Sequence, residues 1–280
     1  MNYRHAFHAG NFADVVKHAV LCRVLLHLRG KPAAFRVLDT HAGEGLYDLA
    51  GPEASRSGEW RHGIERVRNA SVAAEVAGLL APYLDVVAAH NANGRLTSYP
   101  GSPALVRAWL RPQDRLVACE LEPGAAAALA HNLRGRNIRV VTIDGWTALA
   151  AYVPPKERRG LVLIDPPFEQ PGEFARLADR LAAAYRKWAT GLYLLWYPIK
   201  ERRECEQFAR RLARSGIGKI LLAELTIDDR SDRLAGAGLV LVNPPWTLER
   251  ELSILLPALA AILASGGDGG ARLDWLTPEK

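Results

Sequence analysis

A carboxylate, two prolines and an aromatic ring stand together directly after a short apolar run. The run is Leu161–Ile164, and Asp165, Pro166, Pro167 and Phe168 follow it. Proline has no backbone N–H donor and holds the chain extended, so carbonyls near the two prolines stay available as hydrogen-bond acceptors. A carboxylate and free carbonyls suit a planar substrate that carries an amino group, and the ring can stack on its face. A proline-rich strand exit with a capping aspartate remains the alternative.

A glycine loop follows an earlier apolar run, Phe35 to Leu38. Its sequence from Asp39 to Gly45 is DTHAGEG, and glycine lets the backbone turn tightly and approach a ligand. The dinucleotide fingerprint needs a third glycine three residues on, where Asp48 stands. A nicotinamide oxidoreductase is therefore disfavoured, although a GxG loop alone is weak evidence for any ligand.

The N-terminal segment predicts a helix that begins with polar side chains. Asn11 is a good N-cap and Asp14 is an acid in the first turn. At about 100° per residue, Asp14, Lys17 and His18 fall within one arc. Three leucines occupy the same arc farther along: Leu21, Leu25 and Leu28. This indicates a buried helix whose first turns line a polar site; a helix end that emerges into water is the alternative.

Short apolar runs alternate with helical patterns, which predicts an α/β doubly wound domain. The runs are Phe35–Leu38, Leu116–Cys119, Ile138–Ile143, Leu161–Ile164 and Leu192–Trp196, with helical stretches at Pro123–Arg134 and Glu173–Lys187. In such sheets ligands bind at the carboxyl ends of the strands, where Asp165 is expected. Two further runs, Lys219–Thr226 and Leu239–Val242, are joined too closely for a crossover helix. They are expected to form an antiparallel pair at the end of the sheet.

Two features of the spacing need separate interpretation. In a nucleotide-binding α/β domain an acid ends the second strand about 20 residues after the glycine loop, but here the next acid at a predicted strand end is Glu120. The additional residues between these two positions, 47–98, have helical patterns and predict an inserted helical subdomain.

The segment Asn243-Pro-Pro-Trp246 has the same form as the first proline motif. It follows an antiparallel strand, so a structural turn at the opposite edge of the sheet is expected.

The charge of the chain points to a polyanion, with simple solubility as the alternative. The 280 residues carry a net charge of +6, and the excess is clustered. The clusters are Lys156, Arg158 and Arg159; Lys200, Arg202 and Arg203; Arg210, Arg211 and Arg214; and Arg134, Arg136 and Arg139. Three widely spaced cysteines and the absence of an apolar run of about 20 residues predict a cytoplasmic protein. His5 and His8 lack supporting ligands, so no metal site and no membrane partner are expected.

Several motifs together resemble the bacterial family of S-adenosylmethionine-dependent methyltransferases that modify an adenine N6 in 23S ribosomal RNA. The N-terminal YRHAFHAGN with Ala13-Asp14 and Lys17-His18 is the most specific of them. The others are LDTHAG at 38–43, YPGSP at 99–103, Asp144-Gly145, IDPP at 164–167 and Trp196-Tyr197-Pro198. The similarity extends over essentially the whole chain. It departs at Phe168, where the family commonly has tyrosine; phenylalanine still stacks but lacks the hydroxyl group.

The resemblance implies a Rossmann-like class I methyltransferase with a seven-stranded, mostly parallel sheet. The methyltransferase domain would comprise 1–46 and 99–280, with residues 47–98 as the inserted helical subdomain. The implied cofactor is S-adenosyl-L-methionine, and the implied partner of a monomeric enzyme is 23S ribosomal RNA, free or in an assembling particle. Cofactor contacts are expected from Lys17, His18, His41, Gly43, Ser102, Glu120, Asp144, Gly145 and Asp165. Tyr3 and Phe168 would bind substrate, and Asp165, Pro166 and Phe168 would be catalytic.

Three alternative functions stay open on the sequence alone. One is the same chemistry on DNA adenine, and another is methylation of a protein glutamine, whose amide is also planar. The third is a non-catalytic RNA-binding assembly factor that keeps a vestigial cofactor fold. All three share the α/β architecture, so the fold class by itself does not separate them.

Overall fold

A computed structural model describes residues 4–227, 234–264 and 269–278. After a 3₁₀ turn at His5–Phe7, the helices are α1 (Phe12–Arg29), α2 (Pro52–Ser57), α3 (Glu59–His62), α4 (Ile64–Asn69), α5 (Ala74–Ala89), α6 (Ser102–Trp109), α7 (Pro123–Asn132), α8 (Gly145–Tyr152), α9 (Glu173–Lys187), α10 (Arg202–Ala213) and α11 (Leu248–Leu263). The strands are β1 (Arg36–Asp39), β2 (Leu46–Asp48), β3 (Ser98–Pro100), β4 (Arg115–Glu120), β5 (Ile138–Thr142), β6 (Gly160–Ile164), β7 (Leu192–Ile199), β8 (Ile220–Thr226), β9 (Gly236–Val242) and β10 (Gly270–Thr277).

The main sheet is of the Rossmann-like, mostly parallel kind that the sequence predicted. Its order is β10-β8-β9-β7-β6-β1-β4-β5. β1 pairs in parallel with both β4 and β6, and β7 pairs in parallel with β6. β9 runs antiparallel to both β7 and β8, as expected from the short connection between the two last predicted strands.

The sheet has eight strands, so the expected count of seven was wrong. The additional strand is β10, which pairs antiparallel with β8 and displaces it from the edge. β10 is only partly buried and carries Arg272 and Asp274. A half-exposed edge strand needs no continuous apolar run, and the run was the signal used to find the others.

Hydrophobic side chains cover both faces of the central strands. Along β6, Leu161 and Leu163 belong to a core cluster with α1 and α11, while Val162 and Ile164 belong to a second cluster with α9 and α10. This alternation explains why the strand reads as an uninterrupted apolar run. It also leaves the ends of the strands as the places where polar side chains can gather.

Helices α2 to α5 lie in the segment between the short antiparallel strands β2 and β3. Tyr83 and Leu80 of α5 are fully buried in the same cluster as α1. The description of residues 47–98 as a domain of its own stays a prediction. Within the described ranges, no helix combines the length and apolar character required to cross a bilayer.

Candidate active site

A cleft of about 1870 Å³ lies where the carboxyl ends of the parallel strands meet. Residues that follow β1, β4 and β6 line it, among them His41, Glu120 and Asp165. The first turns of α1 and part of the insertion form another wall, as Lys17 and Glu59 show. The strand exits that the sequence singled out therefore converge on one open space. Asn243 lies at the other end of the sheet and donates to the carbonyls of Ala189 and Gly191, as predicted for a structural turn.

Lys17 joins α1 to the strand exit after β6. Its Nζ lies 2.9 Å from Oδ1 of Asp14 and forms a second ion pair with Oδ2 of Asp165. The Lys17 side chain is 5% exposed and that of Asp165 is 16% exposed. Burial acts to lower the pKa of Lys17, but the two carboxylates outweigh it and raise that pKa. Lys17 is therefore a permanent cation that holds the Asp165 carboxylate against the cleft wall.

Asp14 is the buried anion at the centre of this wall. Its Oδ2 lies 3.0 Å from His5 Nε2 and accepts the Gly10 backbone N–H at 3.0 Å. Burial acts to raise the pKa of Asp14, but the charges of His5 and Lys17 hold it well below its ordinary value. Its backbone N–H donates to the Asn11 side chain, which confirms the predicted N-cap. The polar arc of α1 is buried, so the helix does not end in water.

His18 is fixed by two buried tyrosines. Its Nδ1 lies 2.7 Å from the Tyr99 hydroxyl, and Tyr99 in turn lies 2.9 Å from the Tyr83 hydroxyl. Burial lowers the pKa of His18 to about 3, so the imidazole is neutral near pH 7. The chain Tyr83–Tyr99–His18 joins the insertion to the cleft through hydroxyl groups. Sequence patterns could not show this chain, because its members belong to separate elements.

The glycine loop is tied to the acid at the end of β4. Gly43 N–H donates to Glu120 Oε2 at 2.9 Å, while the other carboxylate oxygen accepts the N–H groups of Leu121 and Glu122. Gly43 has a φ of +59°, and a Cβ there would lie 2.1 Å from the Tyr47 hydroxyl oxygen. Glycine is thus required at this turn. The loop holds Glu120 in one orientation on the cleft wall.

Asp39 is a buried carboxylate that the sequence did not single out as a site residue. Ser102 donates its hydroxyl to Asp39 Oδ2 at 2.7 Å, while Oδ1 has no partner among the described residues. Burial raises the pKa of Asp39 to about 7, the hydrogen bond from Ser102 opposing the shift. The one sequence feature that could have identified Asp39 as a site residue was its position at the end of a predicted central strand.

Asp144, Gly145 and His41 form the wall beyond β5. The Asp144 carboxylate accepts the Thr147 N–H at 2.8 Å and so caps α8. Gly145 packs against the loop after β1, where a Cβ would lie 2.4 Å from the Thr40 carbonyl oxygen. His41 lies edge-on to Trp146 with ring centroids 5.4 Å apart. Burial lowers the pKa of His41 to about 4, so this wall presents a neutral ring.

Phe168 belongs to a set of edge-to-face aromatic rings beside Asp165. Its centroid lies 5.1 Å from that of Phe174 and 5.8 Å from that of Trp196. These contacts fix the ring while Phe168 still lines the cleft. Rigid placement of this kind suits a side chain that stacks on a flat ligand.

The structure brings together every predicted site residue that it describes. The residues on the cleft are Lys17, His18, His41, Gly43, Ser102, Glu120, Asp144, Gly145, Asp165, Pro166 and Phe168. Tyr3 lies outside the described residues, and the individual roles of all these residues stay predictions. His5 and His8 contact Asp14 and Glu59. In the part of the chain that the structure describes, no group of three or more His, Cys, Asp or Glu side chains is arranged to hold a metal ion.

Comparison with known proteins identifies the family. Residues 32–277 match the family model described as "Ribosomal RNA large subunit methyltransferase D, RlmJ". The chain belongs to this family. It is 40% identical over 282 residues to the ribosomal RNA large subunit methyltransferase J of Escherichia coli K12, covering 100% of both chains. The Haemophilus influenzae methyltransferase J is 38% identical over 283 residues with the same full coverage.

A crystal structure in this similarity range has the same fold. Protein LPL1258 of Legionella pneumophila superposes with a TM-score of 0.87 at 35% identity. The alignment covers 96% of this chain and 98% of the Legionella chain. The family membership therefore applies to the whole architecture, including the helices between β2 and β3.

Proposed function

We propose that this protein transfers a methyl group from S-adenosyl-L-methionine to the N6 atom of an adenine in 23S ribosomal RNA. The observation that carries the proposal is the position of the Asp165–Phe168 turn, which faces the same cleft as Glu120 and the glycine loop. Membership of the methyltransferase family supports it. One cleft thus offers an amine-binding turn next to walls suited to a nucleoside cofactor.

The residues on the cleft fit S-adenosyl-L-methionine in chemical type. The Glu120 carboxylate, at the end of β4, suits the ribose hydroxyls, as does the acid at the corresponding strand end of other nucleotide-binding α/β folds. The Lys17 cation suits a carboxylate. Neutral His41 and the Asp144-Gly145 turn suit the adenine ring, and Gly43 lets the backbone approach the ligand. His18, Ser102 and Asp165 complete the proposed contacts. When bound, the cofactor supplies an electrophilic methyl group on a sulfonium.

The substrate amine needs help because its lone pair is delocalised into the adenine ring. Lys17 engages Oδ2 of Asp165, which leaves Oδ1 to accept one amine proton. The carbonyl of Pro166 accepts the other. These two acceptors turn the lone pair out of the ring plane, so the contribution of the chain is alignment and electrostatics.

Asp165 also accepts the proton that the amine loses when it takes up the methyl group. General-base action by a positioned carboxylate contributes roughly 10²–10⁴-fold to a rate. The Lys17 ammonium, itself paired with Asp14, fixes the Asp165 carboxylate through its Oδ2 atom. His18 is neutral and turned toward Tyr99, so it places no competing charge beside this carboxylate.

The adenine has to leave its stack to reach the cleft. Unstacking costs a few kcal/mol and is least expensive in a single-stranded or loosely paired RNA segment. Stacking on Phe168 returns roughly 1–3 kcal/mol per base. Because Phe168 is held by Phe174 and Trp196, little further ordering is needed when the base arrives.

A labelled-methyl assay on three substrates tests the proposal. With 23S ribosomal RNA, duplex DNA and a glutamine-containing protein compared side by side, label is expected in the RNA alone, as N6-methyladenine. The Asp165→Asn variant is expected to bind S-adenosyl-L-methionine in calorimetry and to lose at least about 10²-fold in rate. Asp85→Asn, an equal change on an exposed helix position, is the matched control. Near-normal turnover by Asp165→Asn, or label in DNA or protein instead, would overturn the assignment.

A further inference from the structure

Positive charge from three separate parts of the chain gathers at the end of the sheet where the parallel strands begin, opposite the cleft. The stretches 29–36, 111–115 and 156–159 hold eight basic residues and two acidic ones, Asp114 and Glu157. They surround the starts of β1, β4 and β6, where Arg36 pairs with both Arg115 and Gly160. We call this surface the basic edge; its basic residues are Arg29, Lys31, Arg36, Arg111, Arg115, Lys156, Arg158 and Arg159. Its six excess charges equal the net charge of +6 of the entire chain.

The two acids of the basic edge are already paired. Asp114 accepts from Arg111 at 2.8 Å, and Glu157 accepts from Arg36 at 2.9 Å. Glu251 approaches from α11 but is bound by Arg23 at 2.9 Å. The remaining cations of the basic edge have no carboxylate of their own among the described residues. All of them are exposed except Arg159, which is half-buried and donates to backbone carbonyls.

The basic cations lie close enough to repel each other. Arg111 and Arg159 both donate to the Ala33 carbonyl, at 3.1 and 3.0 Å. Burial and then the Arg111 charge lower the pKa of Arg159. Burial, then Arg159 and Lys31, likewise lower the pKa of His27. Folding concentrates these charges at a cost in repulsion, and a polyanion bound there would relieve it.

An exposed tryptophan stands along the same edge. Trp246 is 87% exposed and follows β9, which ends beside the start of β7. Asn243 fixes this turn by donating to the carbonyls of Ala189 and Gly191, each at 2.8 Å. Cations and an exposed aromatic ring at the same end of a sheet are a combination that can bind single-stranded nucleic acid, with the phosphates on the cations and a base on the ring. This favours RNA over other polyanions.

We infer that the basic edge is a second RNA-binding surface, which holds a part of the large RNA remote from the methylated base. The inference rests on the proposed RNA substrate. β4 has six residues, so at about 3.3 Å per residue the end of the sheet that carries the basic edge is roughly 20 Å from the end that faces the cleft. The basic edge therefore cannot touch the adenine in the cleft, and it acts on affinity for extended RNA rather than on the transfer step.

The test neutralises three exposed cations whose side chains make no hydrogen bond or ion pair among the described residues. The triple variant is Lys31→Gln, Lys156→Gln and Arg158→Gln. The control is Arg56→Gln, Arg95→Gln and Arg180→Gln, three exposed cations outside the charge clusters, the cleft and the basic edge, with the same change in net charge. Binding of full-length 23S RNA and of a short hairpin around the target adenine is measured across salt concentrations. The triple variant is expected to weaken full-length RNA binding about tenfold or more and to lower the salt slope by about 2–3. Trp246→Ala is expected to weaken it about fivefold or more.

Methylation kinetics separate this inference from the proposed function. For the triple variant, KM for full-length RNA is expected to rise at unchanged kcat, with both constants unchanged for the hairpin. Equal weakening by the control triple, or unchanged binding of full-length RNA by the triple variant, would overturn the inference. Absence of methyl transfer by the unmodified protein on either RNA would overturn the proposed function instead, and the binding comparison would still decide the role of the basic edge.

Discussion

Lys17 and Asp165 form a partly buried ion pair although they are 148 positions apart in the chain. The pair connects the first helix to the strand exit that faces the cleft, and Asp14 extends it with a 2.9 Å contact to the same ammonium. A buried charge that loses its partner is costly, whereas a complete pair is close to neutral in its contribution to stability. The three residues therefore act as one unit in the predictions below.

Replacement of Lys17 is expected to destabilise the fold as well as the site. Lys17→Met leaves Oδ2 of Asp165 without its cation and removes one of the charges around Asp14. The expected loss is about 3–5 kcal/mol in the free energy of unfolding, measured by urea denaturation. Lys200→Met, at an exposed position on the same cleft, is expected to change stability by less than about 0.5 kcal/mol. Equal stabilities of the two variants would contradict the prediction.

Asp39 is expected to make stability fall as pH rises. Its folded pKa of about 7 lies above the ordinary value of 3.8, so the unfolded chain releases its proton first. The resulting loss develops between about pH 4 and pH 7 and reaches at most about 4 kcal/mol, at 1.36 kcal/mol per pKa unit.

Asp39→Asn removes this loss while keeping an acceptor for the Ser102 hydroxyl. Relative to the unmodified protein, the variant is expected to gain stability from pH 4 to pH 8 in urea titrations. Asp114→Asn is the contrasting case, because Arg111 outweighs burial and lowers the pKa of Asp114. That variant is expected to be less stable than the unmodified protein by a nearly constant amount from pH 4 to pH 8, because the pKa of Asp114 is shifted below its ordinary value of 3.8. Parallel pH profiles for all three proteins would refute the assignment of a raised pKa.

A methyl group at position 145 is expected to displace the loop after β1. The new Cβ would lie 2.4 Å from the Thr40 carbonyl oxygen and 2.6 Å from His41 Cε1, and backbone cannot move aside cheaply. Gly145→Ala is expected to cost about 1–3 kcal/mol in stability and to weaken S-adenosyl-L-methionine binding at least tenfold in calorimetry.

Gly78→Ala supplies the matched control for that substitution. A Cβ at Gly78 meets nothing within 4 Å, and the residue lies inside α5. This change is expected to gain about 0.5–1 kcal/mol and to leave cofactor binding unchanged. Unaltered cofactor affinity in Gly145→Ala would show that the cofactor does not use this wall.

Removal of the Tyr99 hydroxyl is expected to leave two buried groups without a partner. Tyr99→Phe strips the contacts to His18 Nδ1 and to the Tyr83 hydroxyl, and each unsatisfied group costs about 1–3 kcal/mol. Tyr83→Phe breaks only the second contact, so its loss in urea denaturation is expected to be the smaller. A larger loss for Tyr83→Phe would show that the His18 contact contributes nothing.

Features that depend on local sequence pattern could be predicted before the structure was known. Continuous apolar runs located the buried strands, α9 has the predicted bounds Glu173–Lys187, and Asn11 caps α1 as expected. The proline motif after β6 could be distinguished from the similar motif after β9. The connection before β9 is too short for a crossover helix, so β9 had to run antiparallel. Each of these rests on backbone geometry and burial, which neighbouring residues impose on each other.

Tertiary structure alone decided which distant groups meet. The hydrogen bond from Ser102 to Asp39, the tyrosine chain behind His18 and the Lys17–Asp165 pair join residues from different elements. β10 was missed because a half-exposed edge strand takes its identity from the hydrogen bonds of β8, and the basic edge exists only because three short stretches meet at the starts of the strands. Side-chain contacts and pKa shifts depend on distance in space, and spacing along the chain does not encode that distance.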